Sequence, residues 1–163
     1  MKLAIAFALV LGTLHAQNNL VTTTQRYFSS VRRNLESSAD VMPAEKYSYR
    51  LTDGQMTFGE WLIHSAQRNY ADCAVLKSET AQTVAALKSK DEVAKALKDS
   101  FTYCADAVEH ADEAKILASP QMTNAFLHIT IHNNEVYGNI VGYLRSSGIV
   151  PPSTAGRGAQ TKK

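Results

Sequence analysis

Apolar residues recur every three or four positions in four separate stretches of this chain, and no stretch makes a convincing strand. The first stripe is Val21, Thr24, Phe28, Val31, Leu35 and Met42, and Pro43 ends it. The second opens on Thr57-Phe58-Gly59-Glu60, a capping-box pattern, and carries Phe58, Leu62, Ser65/Ala66, Asn69, Cys73 and Leu76. The third follows the acidic pair Asp91-Glu92 and carries Ala94, Leu97, Phe101, Cys104 and Val108. The fourth begins at Ser119-Pro120, an N-cap with proline at the first helical position, and carries Met122, Phe126, Ile129, Val136, Ile140 and Leu144. Gly148 and Pro151-Pro152 stop it. Residues 44–56 read as an extended connector with a turn at Asp53-Gly54, and residues 77–90 leave loop and helix both open. Four amphipathic helices predict an all-α fold, a four-helix bundle.

Three segments organise the chain. Lys2 followed by the apolar run Leu3–Leu14, with Ala16 at the cleavage position, reads as a secretory signal peptide over 1–16. That run is too short to span a bilayer. The bundle occupies 17–152, and 153–163, poor in apolar residues, reads as a disordered tail. The expected product is exported, periplasmic or secreted, with no stable membrane insertion after cleavage. Four of the 17 basic residues lie at the two ends, which leaves 13 against 15 acidic ones in between. No basic face remains for nucleic acid.

The two cysteines constrain how the helices connect. Both sit on inward stripes, and export favours their oxidation to a Cys73–Cys104 disulfide. At about 1.5 Å rise per residue, the two stand level if helices two and three run parallel. An antiparallel pair would put the sulfurs on the order of 10 Å out of level. Residues 77–90 reach about 46 Å when extended, enough for a long crossover between helices 2 and 3.

Polar residues cluster on the fourth helix. With His132 at zero on the helical wheel, His128, Glu135 and Asn139 fall within about 60° on one side. Two imidazoles at i and i+4 can share a metal ion, and the same strip can equally be a solvated or hydrogen-bonding one. His64 projects about 200° from Leu62, away from the apolar stripe, and His110 reads as surface. No glycine-rich phosphate loop and no Ser-His-Asp pattern is present.

The stretches TFGEWLIHSAQRNYADC (57–73), SFTYC (100–104) and HNNEVYGNIVGYLRSSGIVPPS (132–153) resemble the DinB-like (YfiT-like) four-helix-bundle family, most closely its exported bacterial members. The resemblance implies an up-down-down-up bundle. It also implies a divalent metal (Zn, Ni, Mn or Fe) held by three histidines. His64 and His132 match two of those positions, and the third is Val136, which offers no lone pair. His128 or Glu135 could stand in, although each projects about 80–100° from Val136. With a metal present, the expected chemistry is a polarised water or thiol in a hydrolase or transferase, with Glu135 accepting a proton and Tyr137 or Asn139 shaping the pocket.

Three functions stay open on the sequence. One is a metal-dependent DinB-like protein acting on an unknown small molecule. Another is a metal-free exported module that binds a small ligand or protein. The last is a homodimer that buries exposed Trp61 and tyrosines.

Overall fold

The computed structural model describes residues 19–158. Among them are six α-helices and no strand: α1 (Asn19–Val41), α2 (Phe58–Lys77), α3 (Lys90–Glu109), α4 (Glu113–Ala118), α5 (Pro120–Ser146) and α6 (Pro152–Gly158). The four long helices, α1, α2, α3 and α5, are those the stripes predict. The segment read as a signal peptide, 1–16, lies outside the described residues.

Local chemistry sets the helix ends. The Glu60 amide donates to Thr57 Oγ1 while the Thr57 amide donates to the Glu60 carboxylate, which closes the capping box of α2. Ser89 and Glu92 make the same reciprocal pair at the start of α3, with Glu92 drawn from the acidic pair that announced the helix. Ser119 caps α5 by accepting from the Met122 amide, with Pro120 behind it. Gly148 follows α5 at φ +75°, a left-handed conformation that glycine takes without a Cβ clash.

Packing follows the stripes. α2 lies against α3 and α5, and α1 lies against the other faces of the same two helices. Leu35, Met42, Phe58, Leu62, Leu97, Phe101, Phe126 and Ile140 are fully enclosed between them. Cys73 and Cys104 meet across the α2–α3 seam at disulfide distance, with Cα atoms 5.4 Å apart. Beside them runs a buried polar chain. Ser65 donates to Asn133 (2.5 Å), Asn133 to Asn69 (2.7 Å), Asn69 to Ser100 (3.0 Å), and Ser100 to the Leu97 carbonyl (2.7 Å).

Three readings need correction. The connector 44–56 is not simply extended: Ala44–Lys46 form a 3-10 turn just after Pro43, and Tyr47 donates back to the Ala39 carbonyl. Gly59 then lets the start of α2 press on this connector, since a Cβ there would stand 3.1 Å from the Tyr47 carbonyl. The tail read as disordered from 153 is helical as far as Gly158. Proline is a good first residue for a helix, and Tyr137 clasps Ser153 through both its amide and its hydroxyl. Residues 159–163 lie outside the described residues. Finally, Trp61 is half-buried within its own chain, where its indole N–H donates to the Tyr143 hydroxyl at 3.3 Å. No helix among the described residues is long and apolar enough to cross a membrane.

Candidate functional site

The first sequence-marked histidine, His64, sits in the second turn of α2, where the capping box fixes the register. His132 sits at the middle of α5. Although a rigid wheel turns His64 off the apolar stripe, α5 packs at that edge. The two Nε2 atoms stand 2.9 Å apart, with ring centroids at 4.8 Å. In this arrangement one imidazole donates its N–H to the lone pair of the other. Two nitrogens bonded to one tetrahedral zinc stand about 3.3 Å apart, so the pair is already close to ligand spacing.

Both rings favour the neutral form. Burial, reinforced by the neighbouring His64 and His128, pushes His132 down to about 4. Burial also lowers His64, helped by Arg68 and opposed by Glu135. Neutral imidazoles are the form that lends a lone pair to a metal.

The remaining site residues divide. His128 stacks on His132, ring centroids 5.1 Å apart, and its Nδ1–H donates to Asp72 at 2.7 Å. Asp72 is itself buried and accepts from Arg68 at 3.1 Å. That contact leaves His128 Nε2 free, in the orientation a carboxylate gives a histidine ligand, yet among the described residues no group of three such side chains is arranged to hold a metal ion. Asp72 and Arg68 went unread in the sequence, where an i,i+4 pair looks like a solvated one; only the burial of Asp72 distinguishes it. Glu135 is exposed. Tyr137 is committed to Ser153, and the Asn139 amide donates to the Glu135 carbonyl one turn back (3.1 Å), so the contacts of both serve α5 and α6 and not a pocket wall at the histidines. His110 is at the surface, as expected, and pairs there with Asp106.

The three-histidine set implied by the resemblance does not fit. Val136 is fully buried in the core. Among the described residues, no group of three or more His, Cys, Asp or Glu is arranged to hold a metal ion. His132 Nδ1 is buried and has no hydrogen-bond partner, whereas a tightly held histidine ligand donates that N–H to an acceptor. Two convergent neutral donors are what the chain offers.

An open groove of about 400 Å3 leads to His64, with Arg50, Gln55, Met56, Glu60 and Gln67 along its walls. A larger groove of about 510 Å3, between α1 and α3, is lined by Phe28, Arg32, Arg33 and Val108 and holds no histidine. No protein-family model matches this chain, and neither the curated proteins nor the solved structures compared with it gave a match.

Proposed function

We propose that this chain is an exported DinB-like protein in which His64 and His132 form a two-ligand divalent-metal site. It takes up its cation reversibly and not as a tightly resident cofactor. The observation that carries this reading is the 2.9 Å approach of two neutral Nε2 atoms from separate helices. Their sequence positions are those that the resemblance marks as ligands. Two imidazoles without a third protein donor bind weakly, and the unpartnered His132 Nδ1 weakens the site further.

The proposed bundle runs up-down-down-up, with residues 78–89 crossing over between α2 and α3. Pairs that advance together along α2 and α3, Asn69–Ser100 and Cys73–Cys104, support parallel packing of those helices. Pairs that run in opposite senses, Asp72–His128 and Trp61–Tyr143, support antiparallel packing of α2 and α5. A disulfide between the two cysteines is in keeping with export.

The test is calorimetric titration of tag-free protein with Zn(II), Ni(II), Mn(II) and Fe(II), beside a His64→Ala/His132→Ala double variant. One weak site that vanishes in the double variant is expected. Equal heats from both proteins would overturn the reading. A second reading, a metal-free binding module, is favoured by the same close approach, because the imidazole pair is already satisfied at Nε2 by its own N–H···N bond. It predicts no specific heat from any of the four ions.

A further inference from the structure

We infer that the solvent face of α5 docks on the same face of a second copy of this chain, antiparallel about Ile140, so that each Glu135 meets the partner's Arg145. The surface is separate from the histidine pair, and its test is indifferent to metal.

A helix exposed along one side ordinarily presents polar residues there. At about 100° per residue, Glu135, Gly138, Gly142 and Arg145 of α5 all fall within about 40° of Ile131, opposite the buried Ile129, Val136 and Ile140. Ile131, at the centre of that strip, is 63% exposed. Leu51 reaches over Gly142 from the connector, where a Cβ would stand 3.1 Å from its Cδ1, and is itself 36% exposed. Between them lies Gly138, and glycine in a helix interior weakens the helix relative to alanine. Nothing in the chain stands within 4 Å of the Cβ it lacks. No contact within the chain explains that glycine, whereas a close approach from outside does.

Charge supplies the occupant. Glu135 and Arg145 are both exposed, and neither side chain enters an ion pair or hydrogen bond among the described residues. They stand five residues before and five after Ile140, about 7.5 Å to either side along the axis. A twofold axis at Ile140 therefore brings each carboxylate level with the partner's guanidinium, twice over, because in an isologous contact i meets j and j meets i. The same operation sets Gly138 level with the partner's Gly142. It also sets Ile131 level with the partner's residues 149–150, where Val150 is 61% exposed. A parallel pairing would instead set like charge on like. One helix face makes a small interface, below about 1,200 Å2 in total, so the association is a weak one. It reaches the histidines all the same. Burial and Arg68 lower the His64 pKa and Glu135 opposes them. The partner's Arg145 offsets that carboxylate and favours the neutral imidazole.

The test is sedimentation equilibrium of the full tag-free chain, with chelator present, from low to high micromolar concentration. Wild type should move from monomer toward dimer. Glu135→Arg or Arg145→Glu alone should weaken the pairing at least about tenfold, by setting like charges together. The double variant Glu135→Arg/Arg145→Glu should return to within about threefold of wild type. Gly138→Arg should abolish the dimer while holding or raising the melting temperature, since no atom of the chain crowds that position. If wild type stays monomeric throughout, the inference falls and the strip is left to a different protein. If Gly138→Arg or either single reversal pairs at wild-type strength, or the double variant pairs no better than the singles, the copies join elsewhere and the inference falls too. None of these results bears on whether the histidine pair binds metal.

Discussion

Two polar clusters lie side by side between α2 and α5, and they are finished differently. Ser65, Asn69, Ser100 and Asn133 form a closed chain in which each amide and hydroxyl meets a partner inside the protein. One residue earlier on each helix, His64 and His132 meet each other at Nε2 and leave His132 Nδ1 buried without one. A buried polar group left unpaired costs about 1–3 kcal/mol, so the first cluster stabilises the fold and the second strains it. A cluster kept against stability is where function belongs.

That contrast can be broken in order of size. Opening the α2–α3 seam with Cys73→Ala/Cys104→Ala should cost up to about 3.5 kcal/mol in urea unfolding, because the bridge closes a loop of 31 residues. The histidine approach should survive in the variant, since it depends on the α2–α5 packing. Asn69→Ala removes the middle of the closed chain and should cost about 2–3 kcal/mol by the same measurement.

Acid sharpens the comparison from the other side. His132 stays neutral down to about pH 4 when folded but protonates near 6.5 when unfolded. Between those values the unfolded chain binds more protons, so stability is complete above about pH 6.5 and declines as pH falls toward 4. The expected decline attributable to this ring is on the order of 2 kcal/mol, and His132→Phe should remove it. If wild type and His132→Phe show parallel pH profiles, the ring is not buried as described. The smallest effect belongs to His64→Ala, which should shift stability by less than about 1 kcal/mol in either direction. A larger loss would place His64 among the structural residues.

The sequence made the stripes legible because each long helix buries one face, and Val21, Leu35, Leu62, Phe101 and Ile140 carry that periodicity plainly. Short elements escaped. α4 has only six residues, too few for a period, and its one signal is Asp112, which caps the Ala114 and Lys115 amides. The end of α2 was ambiguous because Ser78, not glycine, takes the left-handed position at φ +55°. At the site, the wheel marked His132 as half of an i, i+4 histidine pair, whereas His64 was legible only through the resemblance, because the wheel turned it away from the core. Asp72 was not legible at all, since burial depends on how α5 docks. Tyr137 and Asn139 owe their pocket role to the chemistry the resemblance implies, and neither a resemblance nor a wheel shows the partners that meet them, Ser153 and the Glu135 carbonyl.

The most direct measurement is long-range proton–nitrogen NMR of the histidine rings in uniformly 15N-labelled, tag-free protein, followed through a zinc titration. The account predicts that the Nε2 signals of His64 and His132 move together and saturate in step, while His110 and the Asp72-bonded Nδ1 of His128 hold still. If His110 moves first, or if the His64 and His132 signals stay fixed at excess zinc, the pair is not a metal-binding pair.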